Sequence, residues 1–411
     1  MLRYLLLIFL FCGELHAQTD NWSRFRGFNA NGIILGADLP ASWDSDDYLW
    51  EINLPGSGHS SPVVWGDLVF LTSSIDSMNL GCIMGIDAGS GQILWQDKIN
   101  IPDLKMHADN SLAMASPAAD SLHVYTAWYG KDKTLVYAHT HHGKLKWKKE
   151  FEGIEARHGG GNSPMVAEDF LVFTREQEDG SSFMGSWAAL DRMNGEVHWE
   201  IQCETVASNS FSTPLLLKPR DGNSQLLFAS MAHGLTAVDL ETGQIRWERK
   251  DILPDRVVAS PVYAKGKVVA CRKGGAIVIQ LDPETHISSD TVLYNLSRSI
   301  SPYVPTPIIV DDLLYLFKDN GLVTAVQLSN GEQYWSERPA GAIYGSPVLV
   351  NSKLYCITKQ GEVMVLSAGK EYNLFAVNQL GEGSYATPVP APSGMLFRTF
   401  TSLKCLPWKN E

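Results

Sequence analysis

The 411-residue sequence lacks the features of several protein classes. It contains no run of basic residues and has a formal net charge of −12, which disfavours a nucleic-acid-binding role. No stretch has the apolar periodicity of an amphipathic helix. Its uninterrupted apolar run, "YLLLIFLF" (4–11), is shorter than the roughly 20 residues that a membrane-spanning helix requires. The sequence therefore indicates a non-helical globular protein.

Cysteine is scarce, and its distribution argues against a disulfide framework. The six cysteines form no C-x-x-C motif and no adjacent pair. An odd number remains when Cys12 is excluded with the predicted targeting segment, whereas disulfide-rich exported domains use paired cysteines. We expect the remaining five to be small buried residues on separate strands, and they are Cys82, Cys203, Cys271, Cys356 and Cys405.

Catalytic and metal-binding motifs are also absent. There is no G-x-S-x-G turn for a nucleophilic serine and no glycine-rich loop that opens a helix. The "HTHH" segment (139–142) is interpreted as a solvated turn, and His107 with Asp109 forms no complete metal-ligand set. We therefore predict no catalytic residue and no metal site.

Residues 1–17 have the pattern of a cleaved signal peptide. Arg3 precedes the apolar run, and the small residue Ala17 offers a cleavage point. The bulky Phe11 before Cys12 argues against a lipid anchor there. The expected location is the periplasm or the extracellular space.

A triplet of acid, glycine and tryptophan recurs along the chain. It is clearest in "DLETGQIRW" (239–247), where glycine stands four residues and tryptophan eight residues after Asp239. Copies occur at 87–95 and 191–199, and weaker copies that keep glycine and tryptophan occur at 139–147 and 327–335. The repeated residues are Gly91, Gly143, Gly195, Gly243 and Gly331, with Trp95, Trp147, Trp199, Trp247 and Trp335.

A second repeat, Ser-Pro or Thr-Pro before an apolar stretch, runs in phase with the first. Its prolines are Pro62, Pro117, Pro164, Pro214, Pro261, Pro307, Pro347 and Pro388. Repeats of this period are typical of solenoids and propellers. Each unit also reads as four short strands separated by Gly or Asp turns. We predict an all-β, eight-bladed β-propeller of four-stranded antiparallel blades over residues 47–411, preceded by an arm at 18–46.

Turn and packing chemistry explains the triplet. The Asp side chain can accept hydrogen bonds from backbone amides just ahead of it, and Gly supplies the positive φ of the turn. We expect each Trp to fill the wedge between neighbouring blades. The fifth unit lacks the Gly-Trp pair, and in the seventh unit we expect Phe375 to replace Trp.

The last unit shows three strands. The orphan strand Tyr48–Leu54, with Trp50 at the position of the outer tryptophans, is predicted to pair with it and close the ring.

The repeat A-x-D-x-x-T-G-x-x-x-W, seen at 237–247, resembles that of PQQ-repeat β-propellers of the quinoprotein dehydrogenase-like superfamily. The arm "WSRFRGFNANG" (22–32) is similar to that of secreted PQQ-like repeat proteins, which are often described as similar to the propeller lipoprotein of the outer-membrane β-barrel assembly machinery. The resemblance implies the fold strongly and the function weakly.

Three functions remain open. The favoured ones are a non-catalytic scaffold that binds an envelope protein and a module that binds a small anionic ligand or a glycan, in both cases as a monomer. The alternative is a PQQ-dependent oxidoreductase. The resemblance implies that such enzymes use an adjacent-cysteine disulfide and a Ca²⁺ held by carboxylate and amide groups. The sequence has no Cys-Cys pair and no acidic cluster for Ca²⁺, so no cofactor is expected.

Binding residues are expected where each outer strand joins the next inner strand, because these joints converge on one mouth of the channel. The candidates are His59, Arg157, His158, Asn162, Asn209, Arg256, Tyr303, Tyr344 and Tyr385. "RHGGGN" (157–162) is the foremost segment, and Arg157 with Arg256 is a hypothetical anion-holding pair.

Overall fold

The computed structural model describes residues 21–409 apart from 102–106, 108 and 183. The predicted signal segment and Cys12 lie outside the described residues. No helix in the described part of the chain is long and apolar enough to cross a membrane. The described helices are three single 3₁₀ turns, Ser45–Asp47, Asp76–Met78 and Lys250–Ile252.

The described strands form eight sheets. Two strands come from the N-terminal region, β1 (Ile33–Ile34) and β2 (Trp50–Asn53). Blade 1 contains β3 (Val63–Trp65), β4 (Leu68–Ile75), β5 (Leu80–Asp87) and β6 (Ile93–Asn100). Blade 2 contains β7 (Ala118–Ala119), β8 (His123–Tyr129), β9 (Lys133–Thr140) and β10 (Leu145–Glu152). Blade 3 contains β11 (Met165–Ala167), β12 (Phe170–Arg175), β13 (Gly185–Asp191) and β14 (Val197–Cys203). Blade 4 contains β15 (Leu215–Leu217), β16 (Gln225–Ser230), β17 (Gly234–Asp239) and β18 (Ile245–Arg249).

The second half repeats this order. Blade 5 contains β19 (Val262–Ala264), β20 (Lys267–Arg272), β21 (Gly275–Leu281) and β22 (Ser288–Ser297). Blade 6 contains β23 (Ile308–Val310), β24 (Leu313–Phe317), β25 (Val323–Gln327) and β26 (Gln333–Glu337). Blade 7 contains β27 (Val348–Val350), β28 (Lys353–Ile357), β29 (Glu362–Ser367) and β30 (Leu374–Gln379). Blade 8 contains β31 (Val389–Ala391), β32 (Gly394–Arg398) and β33 (Ser402–Pro407). The predicted all-β, eight-bladed propeller is confirmed.

Blade 8 takes its outer strand from the N-terminal region. β2 pairs antiparallel with β33 in the register Trp50↔Cys405 to Asn53↔Ser402. This is the position at which the sequence placed residues 48–54. All five cysteines in the described chain are buried and free, each on a strand of a different blade, as expected.

Each repeated tryptophan docks onto the turn of the next blade. A Cβ built on Gly243 would lie 2.8 Å from Cγ of Trp199, so the indole sits on the glycine backbone. The Trp199 Nε1 also donates a hydrogen bond of 2.8 Å to the Leu240 carbonyl. Trp50, Trp95 and Trp147 meet Gly91, Gly143 and Gly195 in the same way. The tryptophans therefore join neighbouring blades, as their spacing predicted.

The turns that receive these rings have the expected chemistry. Gly243 has φ +70°, and the Asp239 carboxylate accepts a hydrogen bond from the Thr242 amide at 2.9 Å. In blade 5, which lacks the glycine, His286 takes the left-handed conformation with φ +53°, and its backbone carbonyl accepts a hydrogen bond from the Trp247 indole N–H. The turn geometry therefore survives without glycine, at some backbone strain.

The two irregular blades are completed differently. In blade 5, Tyr294 takes the place of Trp, packing on Gly331 and donating its hydroxyl to the Leu328 carbonyl at 2.7 Å. The expectation that Phe375 replaces Trp in blade 7 is wrong, because Phe375 is 47% exposed. The register with β29 shifts between Val365 and Leu366 and pairs Ala376 with Val365, so alanine occupies the tryptophan position.

The N-terminal arm fills the wedge that blade 7 leaves open. Trp43 stacks on Phe397 of blade 8 with ring centroids 5.4 Å apart and lies 6.5 Å from Tyr355 of blade 7. The Asn378 side chain accepts a hydrogen bond from the Trp43 amide and donates one to the Ala41 carbonyl. A tryptophan from outside the repeat thus replaces the one that the repeat lacks.

The first part of the arm lies in the central channel. β1 pairs parallel to β27, the inner strand of blade 7. Earlier in the arm, the Trp22 carbonyl accepts a hydrogen bond from the Val64 amide of blade 1, and the Ser23 carbonyl accepts one from the Ala119 amide of blade 2. The arm therefore crosses the ring and joins inner strands that are far apart in sequence.

Candidate functional site

A cavity of about 300 Å³ lies at one mouth of the channel. We call it the mouth cavity. Strands alternate in direction within a blade, so the joints that precede the inner strands share a face with the turns between second and third strands. The Asp-Gly turns lie at the opposite face. Phe25 of the arm also lines the mouth cavity.

The hydroxyl groups of the eight Ser/Thr-Pro repeats form a ring around this cavity. We call it the hydroxyl ring, and its members are Ser61, Ser116, Ser163, Thr213, Ser260, Thr306, Ser346 and Thr387. Seven hydroxyl oxygens in the described chain each accept a backbone N–H from the neighbouring blade at 2.8–3.0 Å. The repeat thus links the inner edges of neighbouring blades. The sequence shows that these residues recur, and the structure shows that they bond to one another across the blades.

Six of the nine predicted binding residues line the mouth cavity. They are His59, His158, Arg256, Tyr303, Tyr344 and Tyr385. His107 and Asp109, from the insertion between blades 1 and 2, line it as well. The joints therefore converge on one space, as expected from propeller geometry.

The other three predicted residues lie elsewhere. The Arg157 side chain is 87% exposed and does not line the cavity, although its Nε lies 3.9 Å from Glu178. Asn162 and Asn209 are buried and brace neighbouring joints by donating to the Ser210 and Gly159 carbonyls at 3.3 Å. The structure does not bring Arg157 and Arg256 together in the cavity, because the Arg157 side chain lies exposed beside Glu178 whereas Arg256 lines the cavity.

One wall of the cavity is a cluster of aromatic rings. Tyr385 lies 4.8 Å from Tyr344, 4.6 Å from His59 and 5.0 Å from Phe400, measured between centroids. Lys359 extends over the same wall, with its Nζ 4.1 Å from the centre of the Tyr344 ring. Lys359 and Phe400 come from turns between second and third strands, which lie outside the two repeated motifs of the sequence.

Burial controls protonation on this wall. Burial, together with a smaller effect of the nearby Arg398 guanidinium, lowers the pKa of His59 to about 4. Arg398 is fully buried and donates to the Ser60 carbonyl at 2.6 Å. The His59 ring is therefore neutral at pH 7 and contributes an uncharged aromatic surface.

Arg256 dominates the facing wall. Its Nε donates to the Asn209 carbonyl at 2.9 Å, and its guanidinium carbon lies 4.8 Å from the centre of the Phe211 ring. No carboxylate in the described chain forms an ion pair with it. Burial raises the pKa of the neighbouring Tyr303, while Arg256 lowers it. The wall therefore combines a cation with the aromatic ring of Phe211 and the neutral phenol of Tyr303.

Below the hydroxyl ring, two buried arginines of the arm add positive charge. Arg26 donates hydrogen bonds of 3.0–3.3 Å to the carbonyls of Thr306, Pro307 and Pro347. Arg24 donates to the Pro214 carbonyl at 3.2 Å. Burial lowers the pKa of Arg24 to about 10 and that of Arg26 to about 9, so both remain charged at pH 7.

The cavity does not fit a Ca²⁺-assisted PQQ centre. Ca²⁺ takes six to eight oxygen ligands and favours carboxylates, whereas Asp109 is the single carboxylate among the described lining residues. No group of three or more His, Cys, Asp or Glu side chains suited to a metal occurs in the described ranges. The side-chain oxygen atoms that line the cavity belong mainly to neutral hydroxyl groups, which are weak ligands for divalent cations.

Fold and site together define a PQQ-like repeat propeller. The family model described as outer membrane protein assembly factor BamB matches residues 80–337 and 253–397. The chain belongs to this family.

Two individual proteins are similar to this chain at low identity. The chain is 21% identical to outer membrane protein assembly factor BamB of Yersinia pestis over 353 residues, covering 83% of this chain and 73% of that protein. It is also 21% identical to a polyvinylalcohol dehydrogenase of a Pseudomonas species over 307 residues, which span 66% of this chain but 44% of the dehydrogenase.

Solved structures resemble the fold. BamB from Moraxella catarrhalis superimposes with a TM-score of 0.64 at 14% identity, covering 89% of this chain and 97% of that chain. A europium-containing methanol dehydrogenase gives a TM-score of 0.66 at 12% identity, covering 92% and 89%. At these identities the likeness concerns the fold alone.

Proposed function

We propose that the protein is an exported, non-catalytic propeller that binds a partner at the mouth cavity. The partner is an envelope protein or a small ligand, and the protein acts as a monomer in the periplasm or outside the cell. The observation that carries the proposal is the convergence of six predicted joint residues on one cavity lined by aromatic rings and Arg256. Exposed loops on a rigid ring are typical binding surfaces.

Family membership supports the scaffold function. The similar proteins from Yersinia pestis and Moraxella catarrhalis are BamB proteins, and the former is named as an assembly factor of the outer membrane. A protein-interaction role transfers to this chain more readily than a catalytic one, because it needs only the ring and its mouth.

The oxidoreductase alternative has weaker support. The similar dehydrogenases share the fold, but the cavity of this chain offers one carboxylate, Asp109, where a Ca²⁺-dependent centre needs several oxygen ligands. We therefore rank PQQ-dependent oxidoreductase activity as the second candidate function, after partner binding.

Site-specific photo-crosslinking tests the proposal. A benzophenone side chain replaces Tyr385 at the mouth or, as the matched control, the exposed Phe375 on the outer strand of blade 7. When each variant is expressed in cells with an intact envelope, the Tyr385 variant is expected to form a discrete crosslinked product that the Phe375 variant does not form. Equal products from both positions, or none from the mouth, would contradict docking there.

A further inference from the structure

The hydroxyl ring carries unused hydrogen-bond donors. A serine or threonine hydroxyl donates one hydrogen bond and accepts two. Seven of these oxygens accept a backbone N–H, yet none of the eight hydroxyls donates to another described protein atom. All eight line the mouth cavity. Their O–H groups are therefore free to donate to acceptor oxygens of a molecule that occupies the cavity.

Accepting an N–H strengthens each hydroxyl as a donor. Hydrogen bonds in series polarise one another, and the effect is larger away from bulk water. A ring of such donors is complementary to a group rich in acceptor oxygens.

The charge around the ring has the matching sign. Arg256 lines the cavity without a carboxylate partner in the described chain, and it stands four residues before Ser260 of the ring. Arg24 and Arg26 lie beneath, paired with carbonyls and a thioether. The nearby acid Asp319 is engaged by the Tyr303 and Val304 amides at 2.7 and 3.0 Å. Asp109 is the one carboxylate among the described lining residues, and it is outnumbered by Arg256 in the lining, Lys359 over the Tyr344 ring and the two arginines beneath. The cavity is thus locally positive in a chain with a net charge of −12.

The walls above the ring are apolar and aromatic. Tyr344, Tyr385 and His59 face the cavity from one side, and Phe211 and Tyr303 contribute to its lining near Arg256. Aromatic walls gain free energy by taking an apolar body out of water. A bare inorganic anion would leave these surfaces unused, and a neutral glycan would leave Arg256 without a counter-charge.

We propose that the mouth cavity binds a carboxylate carried on an apolar body. The carboxylate contacts Ser260 and Thr306 of the hydroxyl ring and Arg256, and the apolar body lies between the aromatic walls. This inference rests on the proposed function, since it names the chemistry that the mouth recognises. The carboxylate belongs either to a small organic acid or to the C-terminus of a peptide.

Calorimetric titration of the wild-type protein with benzoate and benzamide tests the charge requirement. The two probes have nearly the same shape, and only benzoate is an anion. Benzoate is expected to bind at least roughly tenfold more tightly, since hydrogen bonds to a charged group are the stronger kind. Equal binding of both probes, or no binding of benzoate, would overturn the proposal, as would sulfate binding as tightly as benzoate.

Variants then locate the carboxylate. Arg256→Gln is expected to weaken benzoate binding roughly tenfold, while Arg298→Gln, which alters an exposed arginine that does not line the cavity, leaves it unchanged. Thr306→Val is expected to weaken binding about fivefold and Thr306→Ser to restore it. Benzoate affinity unchanged in both Arg256→Gln and Thr306→Val would refute the assigned contacts. Because the Thr306 hydroxyl also accepts the Ser260 N–H, the unfolding curve of Thr306→Val shows separately whether that variant still folds.

Two further probes identify the source of the carboxylate. N-acetyl-phenylalanine and a hexapeptide ending in a free phenylalanine carboxylate are compared with their C-terminal amides. Tighter binding of the hexapeptide acid indicates a peptide tail, whereas tighter binding of the short acid indicates a small molecule, and both support the carboxylate site. Amides that bind as well as the acids overturn it. Mouth-dependent crosslinking without probe binding would sink this inference and spare the proposed function. Probe binding without crosslinking would support this inference and contradict a protein partner at the mouth cavity.

Discussion

At the scale of single residues, the propeller depends on contacts made from one blade to the next. Each repeated indole lies on the turn backbone of the neighbouring blade and donates its N–H there, as Trp199 does to Leu240. Glycine suits the position under the ring for two reasons, positive φ and lack of a side chain, and in blade 5 His286 takes this position with φ +53°. Tyr294 and Trp43 show that other aromatic residues can fill the same wedge when they reach it.

Trp199→Ala tests this contact. We expect a loss of about 3–5 kcal/mol in the free energy of unfolding, because the substitution leaves a cavity between blades 3 and 4 and an unpaired Leu240 carbonyl. Denaturant unfolding provides the measurement. Phe375→Ala, which removes an exposed aromatic ring, is the matched control and is expected to change stability by less than about 1 kcal/mol. Equal effects of the two substitutions would remove Trp199 from its assigned role.

At the scale of elements, the N-terminal arm acts as part of the core. Its Arg26 satisfies three carbonyls of blades 6 and 7, β1 extends blade 7, and Trp43 fills the wedge beside blade 8. A guanidinium suits the channel because its several donors reach several carbonyls at once, which the single ammonium of lysine cannot reproduce.

A chain beginning at Tyr48 tests the contribution of the arm while keeping β2. We expect a lower melting temperature and loss of a single cooperative transition, because removal of the arm exposes the carbonyls of the channel and the rings of Tyr355 and Phe397. Differential scanning calorimetry of this truncated chain and of a chain beginning at Gln18 provides the comparison. A truncated chain that melts like the parent would show that the arm is an accessory.

At the scale of the whole molecule, histidines distributed around the ring are held neutral by burial. Burial lowers the pKa of His59 to about 4 and also lowers those of His123, His139, His141, His158 and His286. The unfolded chain takes up protons near pH 6.5 that the folded chain accepts only at lower pH. Stability is therefore fully present above about pH 6.5 and falls as the pH drops towards 4.

The pH dependence of unfolding checks this expectation. As the pH falls from 6.5 to 4, the free energy of unfolding of His59→Gln should decrease less than that of wild type. The two decreases should differ by up to roughly 3 kcal/mol at pH 4. His142→Gln, at an exposed turn, serves as the control and should follow wild type. Parallel curves for wild type and His59→Gln would contradict a neutral buried His59.

Local rules allowed much of this protein to be predicted from its sequence. The spacing of Asp239, Gly243 and Trp247 reports a turn and its neighbouring strand, and its recurrence with Ser/Thr-Pro sets the number of blades. The convergence of the joints on one mouth was expected from propeller geometry, and six of the nine candidate residues line the mouth cavity. These inferences succeeded because each one depends on residues within about one blade of each other.

The tertiary structure decided what depends on residues hundreds of positions apart. Only the folded ring brings Arg26 to Pro347, Trp43 to Phe397 and eight repeated hydroxyls to one cavity. It also turned Arg157 outward and placed Lys359 over Tyr344. The sequence by itself determined the modules, because turns and strand pairs are local, and the closed ring decided the site, because distances across a channel appear only when every blade is in place.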